Sequence, residues 1–289
     1  VTLLQVGANP LVAALGNPKS SHARLNFSQF FNSLGTTLGP LIAAPILLTG
    51  GVFAADAVIT DPATRAESLR SIDLAFLAVG LFFAVVAGFI FTARKTINAA
   101  APAPTAEDRM SPLVALKSPW AVFGALAIFF YVGSEVTIGD LLTNFLHSPE
   151  ILNLPLATAG SMVAWYWGGA MVGRLVGGLL MLTKIPATTI LIVNTALAAT
   201  LCLVVTQTSG TTAAYAAIAI GFFNSIMFPT IFTLTLERST APVPATSGLL
   251  VFGIIGGAVL PPVAGQIADN SATLNPVFYV PLIGYLLLV

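Results

Sequence analysis

Apolar runs of about 20 residues, each enough to cross a ~30 Å hydrocarbon core, recur along this chain and leave few folds open to it. Backbone polar groups in lipid must be satisfied within the protein, so such runs are spanning helices. The expectation is an all-α polytopic membrane protein. Complete spans are expected near 26–49, 73–93, 119–146, 157–182, 185–206, 212–236 and 245–268. Two more runs are short: one opens the chain at Val1 and reaches Gly16 too soon to span, and one closes it at Val289 without a polar flank. Truncation at both ends is the expectation. With 8% charged residues the chain falls far outside the soluble range of roughly 25%, which excludes a soluble enzyme or binding module. The first run lacks the basic flank of a signal peptide.

Lys and Arg set the orientation. One set of alternate loops carries Lys19, Arg24, Arg94, Lys95, Arg109, Lys117, Lys184 and Arg238. The other carries only Arg65 and Arg70, beside Asp56, Asp61, Glu67, Glu150 and Asp269. The first set is expected to be cytoplasmic, in a chain that crosses the cell inner (cytoplasmic) membrane several times. Nothing in this pattern points to nucleic acid as a partner. The single cysteine, Cys202, lies in an apolar span and excludes an intrachain disulfide. His22 and His147 are expected in loops on opposite sides, so neither a metal nor another cofactor is expected.

Against this apolar background one run stands out, RLNFSQFFNSLGTTLGPLIAAPILL. At ~100° per residue, Asn26, Gln29, Asn32, Ser33, Thr36 and Thr37 fall within an arc of roughly 140°, with Phe27, Phe30, Phe31, Leu34 and Leu38 around the rest. Such a stripe must face protein or a water-filled cavity. Its neutral donors and acceptors suit a polyhydroxylated ligand such as a sugar; its other reading is glue between helices. Glu135 is the deepest carboxylate and lies in a span without lysine. Its readings are proton uptake during the cycle, bonding to sugar hydroxyls, or a structural pair with Arg174. Counted at ~1.5 Å per residue from the cytoplasmic ends, Gln5, Asn32, Arg174 and Asn224 lie about 12–18 Å deep, near the middle of the core. Each has a bland alternative: Gln5 as a partner for carbonyls freed by Pro10, Asn224 as packing. Trp165 and Trp167 are sugar stackers or interface anchors.

Residues 94–118, rich in Ala and Pro, form the longest expected cytoplasmic linker. Residues 1–93 are read as the remainder of an N-terminal bundle, part of helix 4 with helices 5 and 6, and 119–289 as a C-terminal bundle of helices 7–12. A six-plus-six plan binds substrate at the midplane between repeated halves.

Five motifs reach a family: Gln5-Val6-Gly7-Ala8-Asn9-Pro10; Arg24-Leu25-Asn26 running to Gln29-x-x-Asn32-Ser33-Leu34-Gly35; Tyr131-Val132-Gly133-x-Glu135; Phe223-Asn224-Ser225-Ile226-Met227-Phe228-Pro229-Thr230-Ile231-Phe232; and Gly256-Gly257-Ala258 running to Pro262. Together they resemble the fucose:proton symporter family of the major facilitator superfamily, especially its glucose/galactose branch. The resemblance implies sugar contact at Gln29 and Asn32. The fucose branch carries a coupling glutamate four residues before the Asn-Pro pair, and this chain has Gln5 there, which favours a hexose over fucose. The resulting expectation is a monomeric hexose transporter working by alternating access, with a proton or sodium ion as coupling partner and candidate substrate residues Gln5, Gln29, Asn32 and Asn224. A seven-helix receptor and a channel are the alternatives.

Overall fold

The computed structural model describes residues 2–47, 62–100 and 111–289. Asp56, Asp61 and Arg109, which enter the charge pattern, and residues 101–110 of the expected linker lie outside the described residues, as do the side chains of Arg65 and Glu67. The described residues form eleven α-helices, with 3-10 turns in several of the connections: α1 (Thr2–Ala14), α2 (Ser21–Leu47), α3 (Pro62–Ala100), α4 (Pro119–His147), α5 (Leu156–Leu180), α6 (Ala187–Gln207), α7 (Gly210–Asn224), α8 (Met227–Arg238), α9 (Val243–Phe252), α10 (Gly256–Asp269) and α11 (Tyr279–Leu286). α3 begins before the expected boundary near residue 73 and continues through Arg94 and Lys95 to Ala100. No residue of its most apolar stretch is buried among the described residues.

Two expected spans are broken near their middles. Pro229 has no N–H, so the carbonyl of Ser225, four residues earlier, loses its helical donor. The helix accordingly ends at Asn224 and restarts at Met227. The freed carbonyl accepts instead from Arg174 Nε at 3.0 Å. A second break, the 3-10 turn Gly253–Ile255, separates α9 from α10 where the chain crosses α4. A Cβ at Gly256 would collide with the Phe129 carbonyl, so glycine is needed for that approach.

Lipid tails are as apolar as side chains, so helix contacts here depend on close fit rather than on escape from water. α5 shows this on two faces. Gly173 and Gly177 lie against Phe222, Ser225 and Ile226, while Gly168 and Gly178 lie against Thr37 and against Asn26 and Phe27 of α2. The Gly169–Gly173–Gly177 repeat is therefore a packing surface within the C-terminal part, and a different pair of glycines seats α2. Among the described residues, five stretches are long and apolar enough to cross a membrane, and α5 is not among them. Arg174, Tyr166 and its many glycines lower its hydropathy.

Arg24 and Arg238 lie at one end. α1 stops at Gly16, whose φ of +88° suits glycine, and Arg24 caps the released carbonyls through Nη2 to Ala13 O at 2.6 Å and Nε to Val12 O at 3.2 Å. At the same end Arg238 lies 4.8 Å from the Trp120 ring, and Thr240 N donates to Ser118 Oγ at 3.2 Å.

Candidate functional site

The α2–α5 seam carries most of the polar residues expected in the site, in three levels. The first is at the basic end. His22, expected in a loop, sits in the first turn of α2 because that helix begins well before its apolar run. Its Nε2 is 3.1 Å from Glu237 of α8 and its Nδ1 faces the Thr233 hydroxyl. Ser21 Oγ also donates to Glu237, at 3.3 Å. Burial holds the His22 imidazole below its ordinary range, with Glu237 acting in the opposite direction. One turn on, Asn26 Nδ2 donates to His22 O at 2.9 Å and approaches Met181 Sδ at 3.3 Å.

The second level is deeper. Gln29 is buried and its Nε2 donates to Asn9 Oδ1 of α1 at 3.3 Å. Arg174 of α5 reaches across the seam, with Nη1 donating to Gln29 O at 3.1 Å and to Ser33 Oγ. Its Nη2 stands 3.8 Å from Glu135 Oε1 of α4, close enough for an ion pair but beyond hydrogen-bond length. Both side chains are enclosed, at 6% and 13% exposure. Counting Ser225 O, one guanidinium touches groups from α2, from α4 and from the α7–α8 break.

The third level lies within the C-terminal part. Asn224 Nδ2 donates to Tyr166 OH at 2.6 Å and Tyr285 OH at 3.2 Å, and Tyr166 OH donates to Glu135 O at 3.3 Å. All three side chains are fully buried.

Gln29, Arg174 and Glu135 are thus brought together, and Asn224 is linked to them through Tyr166. Gln5 is half-buried on α1, one turn before Asn9, and Asn32 is exposed; neither side chain makes a hydrogen bond among the described residues. The stripe divides accordingly. Asn26, Gln29 and Ser33 turn inward, while Phe31, Leu34 and Leu38 are exposed on the other face. Trp165 is 70% exposed on the outside of α5, away from the seam, whereas Trp167 stacks edge-on against Tyr166 with centroids 4.9 Å apart. Nothing in the sequence singles out Tyr285; Asn9 enters only through the Asn-Pro motif, and Ser33 only as a member of the stripe and its motif. The spacing of Pro229 from Ser225 does carry a readable signal, a free carbonyl at mid-depth.

The Major Facilitator Superfamily profile matches residues 2–248. The chain is 38% identical over 289 residues to a protein named glucose/galactose transporter from Brucella abortus biovar 1 (strain 9-941), covering 99% of this chain and 66% of that one. It is 26% identical to the L-fucose-proton symporter of Escherichia coli (strain K12), covering 96% and 65%. In fold it matches the crystal structure of the Major Facilitator Superfamily transporter FucP in the outward conformation, with TM-score 0.77 and 22% identity across 99% of this chain and 70% of that one. The chain therefore spans about two thirds of these relatives' lengths and belongs to the Major Facilitator Superfamily.

Proposed function

We propose that this chain forms part of a secondary transporter that carries a hexose of the glucose/galactose type across the cytoplasmic membrane by alternating access, as a monomer, with a proton as the coupling ion. The observation that carries this reading is the 38% identity to the Brucella glucose/galactose transporter along 99% of the chain. The geometry supports it chemically. Gln29 and Asn32 offer neutral donors and acceptors at mid-depth, where repeated-half transporters bind substrate. Asn32 is the freest of them, with its amide exposed. Gln5 and Asn224 are assigned supporting places, Gln5 beside the Asn9–Gln29 pair and Asn224 behind Tyr166. The kinship with a fucose-proton symporter favours a proton over sodium. The two bundles divide at residues 94–118, so the α2–α5 seam joins the N-terminal bundle to the C-terminal one.

Full-length protein in liposomes preloaded with unlabelled sugar provides the test. Saturable counterflow of labelled glucose and galactose, with weaker counterflow of fucose, is the expected result. Non-saturable flux, or equal passage of both enantiomers of glucose, would refute a carrier and indicate a pore.

A further inference from the structure

We propose that Arg174 is a partner-switching residue: it is held by α2 while the seam is closed and passes to Glu135 when the seam opens, coupling separation of the bundles to proton release from that carboxyl group. The proposal rests on the hexose-proton reading above.

Arg174 has anchors of two kinds. Ser225 O belongs to the C-terminal part and travels with α5, whereas Gln29 O and Ser33 Oγ belong to α2 across the seam. With these anchors made, the guanidinium sits 3.8 Å from Glu135 Oε1, about 1 Å beyond a charge-assisted hydrogen bond. Oε1 is meanwhile buried without a hydrogen-bond partner among the described residues, as is the neighbouring Tyr131 hydroxyl. Oε1 is thus held only by an ion pair at 3.8 Å with an arginine whose hydrogen bonds go elsewhere, a weak match for a buried carboxylate, which ordinarily is both paired and hydrogen-bonded. It is explained if Oε1 bears a proton in this state.

Movement of α2 away from α5 removes two of the arginine's acceptors at once. A cation cannot stay uncompensated there, and the nearest replacement is Glu135. Arg174 then competes for the oxygen that a proton would occupy. The step balances simply: the Glu135 carboxylic acid gives its proton to water in the opened seam, leaving a carboxylate paired with the guanidinium, and closure reverses it. The groups facing Glu135 are Tyr131 on its own helix and Arg174 and Tyr166 on α5. α2 contributes Gln29 and Ser33, and α7 contributes Asn224, none of which titrates in this range.

The test uses the full-length protein in liposomes, with counterflow read beside accumulation driven by an inward proton gradient. Glu135→Gln should lose accumulation at least ten-fold while keeping measurable counterflow, and proton uptake with the sugar should fall to background. Ser33→Ala, which loosens one α2 anchor, should move the pH midpoint of accumulation; a merely structural serine would only scale its height. Full accumulation in Glu135→Gln overturns the proposal, and so does equal loss of both modes in a folded Glu135→Gln protein. Absence of counterflow in the unmodified protein overturns the transport reading beneath it.

Discussion

Asn32→Ala and Gln29→Ala should separate ligand contact from packing, because the two carboxamides occupy opposite situations in one helix. Asn32 is exposed and makes no hydrogen bond among the described residues, so truncating it leaves stability within about 0.5 kcal/mol. If the sugar bonds to it, the lost bond is worth about 0.5–1.5 kcal/mol net, a roughly two- to twelve-fold fall in affinity. Gln29 is buried, and its amide supplies the bond to Asn9 Oδ1. The Asn9 Nδ2 already has no partner among the described residues. Gln29→Ala would strand the rest of that carboxamide at a cost of about 1–3 kcal/mol, in addition to any loss of sugar contact. Calorimetric titration with glucose and galactose gives the affinities, and thermal unfolding in the same detergent gives the stabilities. Asn32→Ala should lose affinity alone and Gln29→Ala both. Leu34→Ala, on the exposed apolar face, should change affinity less than two-fold. Unaltered sugar affinity in both polar variants would show that α2 is packing only.

At the basic end, burial favours neutral His22, so its contribution to stability is complete above its ordinary value of 6.5 and declines as the pH falls below that. The melting temperature should therefore drop on acidification from about pH 7.5 to 5.5, and His22→Gln should flatten that drop; an identical slope in the variant would refute the assignment. Gly173→Ala pushes a methyl group into the Phe222 carbonyl and Ser225, and should destabilise by about 1–3 kcal/mol in thermal unfolding. Gly265→Ala, where the added carbon meets nothing within 4 Å, should instead stabilise α10 by about 0.5–1 kcal/mol.

Lipid made the spans legible in the sequence. It imposes length and apolarity on each crossing, and the runs from 119 onward appear as helices at nearly the expected bounds. The expected depths of Gln5, Asn32, Arg174 and Asn224 rest on the same counting. What hydropathy does not encode is which neighbour a polar face meets. The 140° stripe reads as one wall, yet Gln29 turns to α1, the Gln29 carbonyl and Ser33 meet α5, and Asn32 is exposed. Asn224 lies at the right depth but points into two tyrosines on other helices, 58 and 61 residues away in the chain. That pairing depends on tertiary contact alone. The helix break was legible in principle, since Pro229 marks it locally, but the cation that fills it comes from another helix.

Two of the oxygen atoms that seat Arg174 are backbone carbonyls, at Gln29 and Ser225. No side-chain replacement at 29 or 225 deletes a carbonyl, so much of this seat is shielded from genetic drift. Tolerance should be distributed unevenly as a result. Positions 29 and 225 can vary while the arginine stays docked, whereas position 174 cannot, because lysine lacks the fork that reaches several acceptors at once. Position 229 joins it for a less obvious reason: any residue with an N–H there would compete for Ser225 O and evict the guanidinium. A proline with no functional group of its own thereby becomes as constrained as the charge it serves.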